Sequence, residues 1–276
     1  MTDPAHEWVL VDFDTPADLV DVVSDALWSL GVAAVEELPG TTGRTVLRTS
    51  LGAGESAGVA TVTSRFAGVK ASPVRIPSSV ADTWREFVRP TQVIDDVWLV
   101  PQWCEPPAGR CILIEPFDTF GMGNHPTTVL TLRAALTVTV RADTVLDLGS
   151  GSGVLAVALA SLVGCSVEAH DIAPQGESAL AHNAQLNSVS DRVSWLSAVD
   201  SARAARYDVV MANILAPVLR QLAGDIEDAV RAGGVIVLSG LREEQVQDVV
   251  VRYEGSEVER IEVLDGWAGV VLRRNG

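Results

Sequence analysis

Residues 144–171 read TVLDLGSGSGVLAVALASLVGCSVEAHD, and this stretch decides the fold. A short β-branched and apolar run carries Asp147 near its end. A turn dense in glycine follows, with Gly149, Gly151 and Gly153. An apolar segment of helical length comes next, then a second short strand ending at Asp171. Strand, tight turn, helix and strand in that order make a parallel βαβ unit. The glycines let the backbone turn sharply and bring N–H groups against a ligand. An acid at the tip of the second strand can accept both hydroxyls of a ribose. The stretch reads as a nucleoside-cofactor site.

Working outward, strands are readable at 144–148, 166–170, 192–197, 207–213 and 234–239. Helices are expected at 127–139, 152–163, 174–187, 216–231 and 242–252. Two apolar strands, 257–264 and 267–273, close the chain and predict an antiparallel hairpin on one sheet edge. Alternating strands and helices imply an α/β domain with a parallel, Rossmann-like sheet of seven strands and helices on both faces.

Upstream, VWLVPQW (97–103) and RCILIEP (110–116) read as the strands of a hairpin. Residues 71–95 carry three prolines, and Trp84, Phe87 and Val88 suggest a short helix among them; the stretch reads as a linker and domain boundary. Residues 7–14 alternate as a strand. Thr15-Pro16 suggests a helix start with Thr15 as N-cap, and Leu19, Val22, Val23, Ala26, Leu27 and Leu30 follow at helical spacing. Short strands are expected at Ala33–Leu38, Arg44–Thr49 and Gly58–Ser64, with a second helix placed loosely around 51–60. The domains are therefore 1–70, a small α+β unit; 71–95, a linker; and 96–276, the α/β domain.

The chain of 276 residues is 47% hydrophobic and carries a formal charge of −16. That balance disfavours a general nucleic-acid surface, where a basic footprint is expected, and suits a basic partner. Residues 1–43 hold nine acids (Asp3, Glu7, Asp12, Asp14, Asp18, Asp21, Asp25, Glu36, Glu37) and no Lys or Arg. They form either a solvated acidic face or a docking surface for a basic protein. Cys104, Cys111 and Cys165 make neither a disulfide framework nor a metal site, and the four histidines lack zinc spacing. No signal peptide or membrane span is readable, so a cytoplasmic location is expected.

The glycine turn has the form Asp-x-Gly-x-Gly-x-Gly, with Val154 where a dinucleotide fingerprint needs its third glycine. That favours S-adenosylmethionine over a pyrophosphate ligand and disfavours an NAD-dependent oxidoreductase. Gly149 and Gly151 would let the backbone approach the ligand, and Gly153 would permit close helix packing. Asp171 follows Gly149 by 22 residues, the place of a ribose acceptor; as a lone acid it is also a candidate N-cap. Asp200 follows the third strand and is either an acceptor for the adenine amine or a loop acid. Asn213 ends the fourth strand at the edge where α/β sites lie, although a turn residue is the ordinary reading there. FGMGNHPTT (120–128) is a loop in which Thr127 or Thr128 caps the next helix. Its Phe120 and His125 can also stack on or cover a ligand.

Together these residues resemble the ribosomal protein L-eleven methyltransferase family. The family's Phe-Gly-Thr-Gly-x-His-x-Thr-Thr loop is FGMGNHPTT here, with Met122 in place of Thr. DLGSGSG (147–153), HDIAPQ (170–175), NIL (213–215) and LSGLREEQ (238–245) also match, and the likeness covers about residues 80–276. Asn-Ile-Leu separates this family from glutamine methyltransferases, which carry Asn-Pro-Pro-Tyr. The resemblance implies a class I methyltransferase fold with a ferredoxin-like N-terminal domain that recognises the substrate protein. It implies S-adenosylmethionine contacts at Thr128, Gly149, Asp171 and Asn213. It also implies methylation of lysine and N-terminal amines of the eleventh large-subunit ribosomal protein. Asn213, by side chain or backbone carbonyl, is expected to orient the amine's lone pair toward the methyl group, and no metal is expected. The alternatives are a methyltransferase for another protein or a small molecule, and a non-catalytic module that docks a basic protein.

Overall fold

The computed structural model describes residues 8–30, 32, 35–51, 55–76, 88–117, 119–198 and 205–276. The chain divides into two compact units, Met1–Phe87 and Val88–Gly276.

In the first unit, β1 (Trp8–Pro16), α1 (Val20–Ser29), β2 (Glu36–Pro39), β3 (Arg44–Thr49), α2 (Glu55–Arg65) and β4 (Lys70–Ile76) follow in β-α-β-β-α-β order. The four strands form one antiparallel sheet in the order β2-β3-β1-β4, a split βαβ arrangement. Val11, Phe13, Val23, Leu27, Leu47 and Val62 form its core.

Thr15 is not a helix cap: β1 runs through Pro16, and the Thr15 hydroxyl donates to Phe13 O at 2.9 Å. Gly58–Ser64 is helical although rich in β-branched residues. Thr61 and Thr63 donate their hydroxyls to carbonyls one turn back, both at 2.8 Å, and Val59 and Val62 pack into the core. Tertiary packing outweighs the strand propensity that the sequence offers. Asp12 and Asp14 are tied to Arg48 and Arg44 across β1 and β3, at 2.6 and 2.7 Å. Those two acids are engaged within the sheet, whereas Asp18, Glu36 and Glu37 are exposed.

The stretch 71–95, read as a linker, carries most of β4 in the first unit and β5 (Thr91–Ile94) in the second. The short helix expected around Trp84 and Phe87 lies outside the described residues.

The second unit begins with a three-stranded sheet of β5, β6 (Val97–Pro101) and β7 (Arg110–Ile114). The expected hairpin of 97–103 with 110–116 is not formed. β6 is antiparallel to β5 and parallel to β7. The tight turn at Asp95 takes the hairpin instead, and the longer 102–109 segment lets β7 run alongside β6.

The main sheet then forms from seven strands: β8 (Thr144–Leu148), β9 (Ser166–His170), β10 (Val193–Trp195), β11 (Tyr207–Asn213), β12 (Val230–Arg242), β13 (Ser256–Leu264) and β14 (Trp267–Arg274). Their order is β10-β9-β8-β11-β12-β14-β13. The first five in this order are parallel, and β14 and β13 add an antiparallel hairpin at the edge. Successive strands run outward from β8 to one side and then return to its other side at β11. The switch point, where α/β folds bind ligands, therefore lies between β8 and β11.

Helices α3 (Pro126–Val138), α4 (Val154–Val163) and α5 (Gly176–Leu186) pack on one part of the core. The single helices expected at 216–231 and 242–252 are shorter pieces: α6 (Ala216–Gln221), α7 (Ala223–Ala229) and α8 (Val246–Val250). Every residue of α4 from Val154 to Ala160 is buried, as an all-apolar helix requires.

Candidate functional site

At the carboxyl end of β8 the chain enters the glycine turn. Gly149, Gly151 and Gly153 all have positive φ, at 78°, 54° and 78°. These angles strain any residue with a Cβ. Space is short as well. A Cβ on Gly149 would meet Ile214 Cγ2 at 2.1 Å, one on Gly151 would meet Phe120 O at 2.2 Å, and one on Gly153 would meet Leu180 Cδ1 at 2.6 Å. Gly153 thus permits the close contact of the turn with α5.

Asp171 faces the turn. Its Oδ2 accepts the Gly151 amide at 2.8 Å, and its Oδ1 accepts the Ala173 amide at 2.8 Å. Asp171 caps no helix, since α5 begins at Gly176. A carboxylate offers about four lone-pair sites, so each oxygen keeps an acceptor site for a hydroxyl. Ile172, one residue on, is 94% exposed.

Asp147 is wholly buried beneath the turn. Its Oδ2 accepts the Ala156 amide at 3.1 Å, and its Oδ1 has no partner in the protein. Loss of solvent pushes its pKa up to about 7, the Ala156 amide opposes that rise, and the charge on Asp171 adds to it.

Asn213 ends β11, opposite Ser239 of β12. Its carbonyl oxygen lies 4.0 Å from where a Gly149 Cβ would stand. The acceptor-rich strand end and the glycine turn are therefore neighbours. Leu215 and Val218, just beyond, are exposed apolar residues.

The loop before α3 closes on the turn from the other side. Ser152 N donates to Phe120 O at 2.8 Å, and the Ser152 hydroxyl donates to Gly121 O. Phe120 is half exposed. His125, not Thr127 or Thr128, caps α3: its Nδ1 accepts the Thr127 amide at 3.3 Å and pairs with Thr127 Oγ1 at 2.7 Å. The ring lies edge-on to Phe120 and Trp267, with centroids 5.6 and 4.8 Å away. Burial, and then the charge of Arg242, hold its pKa below the ordinary value. Thr128 is fully buried with an unpartnered hydroxyl. Asp200 lies outside the described residues.

The structure thus joins Gly151 to Asp171 by a hydrogen bond, ties Phe120 to the same turn through Ser152, and places Asn213 beside Gly149. His125 joins this cluster through its ring contact with Phe120, and Thr128 sits in the helix it caps. Sequence inspection missed Asn183, Trp267 and Arg242. A signal existed for Asn183, which shares the buried stripe of Ala179, Leu180 and Ala184, where a polar side chain needs a buried partner. Among the described residues no cluster of His, Cys, Asp or Glu is suited to a metal ion. None of their helices is long and apolar enough to cross a membrane.

The strand order, the glycine turn, the acid after β9 and the terminal antiparallel hairpin define the class I methyltransferase fold. The profile of the ribosomal protein L11 methyltransferase (PrmA) family matches residues 78–275. The chain is 30% identical over 200 residues to the ribosomal protein L11 methyltransferase of Bacillus cereus, covering 70% of this chain and 64% of that protein. It is 36% identical over 172 residues to that of Tolumonas auensis, covering 62% and 59%. The crystal structure of a ribosomal protein L11 methylase from Lactobacillus delbrueckii subsp. bulgaricus superposes with a TM-score of 0.62 at 26% identity, over 68% of this chain and 100% of the other. The chain belongs to the ribosomal protein L11 methyltransferase family. The matches span less than two thirds of the length of these two sequence relatives.

Proposed function

We propose that this protein transfers methyl groups from S-adenosylmethionine to amines of ribosomal protein L11, the lysine and N-terminal amines. The observation that carries this reading is the adjacency of the Asp171-braced glycine turn to Asn213 across the switch point. A nucleoside donor fits these residues. Asp171 keeps free acceptor sites for ribose hydroxyls, and Ile172 offers an apolar surface beside it. Thr128, Gly149, Gly151 and Asp171 would hold the donor, with Phe120 and His125 covering it. When bound, the sulfonium supplies an activated methyl group.

The chain's own part is alignment and desolvation. Bringing nucleophile and methyl carbon into line removes most of the entropic barrier of a bimolecular step. Asn213 orients the amine by accepting its N–H groups, which leaves the lone pair facing the donor. The amine must arrive neutral. The exposed apolar side chains of Phe120, Leu215 and Val218 would strip water from an incoming lysine and lower its pKa. No strong general base is then required. Buried Asp147 has no access to an acceptor, and His125 uses Nδ1 as a helix cap.

The test is transfer of labelled methyl groups to ribosomal protein L11, followed by mass spectrometry of its lysines and N-terminus. Donor binding without transfer to this protein would reject the substrate. Asn213→Ala should lower turnover more than donor affinity; unchanged turnover would reject its role.

A second reading, methylation of a different protein, is favoured by one observation: the family match begins at residue 78 and leaves residues 1–77, most of the first unit, outside it. Labelling of whole ribosomal and non-ribosomal extracts separates the two.

A further inference from the structure

Asn183 of helix α5 and its C-cap Asn187 lie one turn apart and face the edge of β7 and its continuation at Glu115. Asn187 Oδ1 accepts the Leu113 amide at 2.9 Å, and its Nδ2 donates to Leu113 O at 2.7 Å. Asn183 Oδ1 accepts the Glu115 amide at 2.8 Å, and its Nδ2 donates to Glu115 O at 2.9 Å. Side-chain amides carry the same donor and acceptor pair as a peptide. The helical spacing of 183 and 187 matches the two-residue repeat of 113 and 115 along one strand edge. The two side chains therefore stand in for a fourth strand of the small sheet.

Asn187 Nδ2 also donates to Asn183 O at 2.8 Å, a bond within its own helix end, whereas Asn183 reaches a second part of the fold. Asn183 Nδ2 also donates to Ser152 O at 2.9 Å, inside the glycine turn. Ser152 in turn binds the 120-loop through its amide and its hydroxyl. Asn183 and Ser152 are both fully buried. Glu115 begins the connection from β7 to that same loop. One side chain thus fixes the glycine turn directly and the 120-loop through Glu115 and Ser152.

We propose that Asn183 is a positioning residue for donor binding, setting the glycine turn in register with the 119–125 loop, whereas Asn187 secures β7 and the end of its own helix. This rests on the donor-binding reading above. Amide-to-carbonyl bonds in a dry site hold direction more strictly than apolar contacts do. Loss of the Ser152 bond frees the turn at the point where it meets the 120-loop.

The experiment compares Asn183→Ser with Asn187→Ser by calorimetric titration with S-adenosylmethionine and by thermal unfolding. Both variants should melt earlier than the parent. Donor affinity should fall about three- to tenfold in Asn183→Ser, the worth of one lost hydrogen bond, and stay unchanged in Asn187→Ser. Equal affinity losses in the two variants, or none in Asn183→Ser, overturn the inference. If Asn183→Ser does not fold, amide exchange of the parent chain decides. Donor binding should then slow exchange at Glu115 together with Gly151 and leave Leu113 unchanged. Slowing at Gly151 without Glu115 overturns the positioning role alone. A parent chain that binds no S-adenosylmethionine overturns the donor-binding reading as well.

Discussion

Asp171 holds the amide of Gly151 at 2.8 Å, across the 20 residues that separate strand β9 from the turn after β8. The acid expected to bind a ribose thus also shapes the loop that would meet the rest of the ligand.

This double role makes Asp171 sensitive to conservative change. Asp171→Asn keeps the volume but points an NH2 group at the Gly151 or the Ala173 amide. A hydrogen bond to a charged group is worth about 1.5–3 kcal/mol, so donor affinity should drop about ten- to a hundredfold. Asp171→Ala should lose at least as much. Calorimetry with S-adenosylmethionine is the check, and undiminished affinity in Asp171→Ala would remove the ribose assignment.

Asp147 should leave a signature in the pH dependence of stability. In the folded chain it keeps its proton to about pH 7, while the unfolded chain releases it near the ordinary value of 3.8. Between those values the folded state binds the extra proton. The contribution of Asp147 is therefore full below the unfolded value and is lost as pH rises toward 7, at about 1.4 kcal/mol per unit. Asp147→Asn should lack this loss, so its melting temperature should gain on the parent's as pH increases. Parallel curves would show that Asp147 is ionised throughout.

His125 behaves in the opposite sense. Its cap needs an unprotonated Nδ1, and its folded pKa lies below the ordinary 6.5. As pH falls through 6.5 the unfolded chain takes up a proton that the folded chain resists, so stability is lost on acidification. The ring resonances should titrate below 6.5 in the parent, and Arg242→Gln should move the midpoint upward by removing a nearby cation. Arg242 also stacks on Trp267, 4.0 Å from its ring centroid, and Trp267 packs against His125. Trp267→Leu should therefore destabilise the loop, and an aromatic pair of this kind is worth about 0.5–1.5 kcal/mol. An unshifted midpoint in Arg242→Gln would contradict the electrostatic part.

Gly153 and Gly233 separate backbone strain from packing. Both have positive φ, 78° and 71°, but a Cβ meets nothing within 4 Å at Gly233 and meets Leu180 at 2.6 Å at Gly153. Gly233→Ala should cost about 1–2 kcal/mol, the left-handed penalty. Gly153→Ala should cost about 1–3 kcal/mol more through overpacking. Denaturant midpoints give both values, and equal costs would deny Gly153 its packing role.

How much of this was legible beforehand varies by element. The turn at 147–153, the acid after β9, the strand alternation and the closing hairpin were readable because each depends on neighbours in sequence: β-branched runs, positive-φ glycines, helical spacing. The His125 cap was missed because threonines are the commoner caps, and only the fold turns the imidazole back onto its own helix.

The sequence by itself determined that a nucleoside-type βαβ unit stands at residues 144–171, and that an Asn-bearing strand end follows it. The tertiary structure alone decided that β7 runs parallel to β6, that Gly58–Ser64 coils as a helix, and that Asn183 ties the small sheet to the glycine turn. The reason is physical. Turns and periodicity are set by steric and hydrogen-bonding preferences over a few residues. Edge pairing and buried polar contacts are set by which donors and acceptors remain unpaired once the chain has packed. Glu115 and Ser152 are 37 positions apart in the sequence and meet on one amide of a third residue, a relation with no local signal.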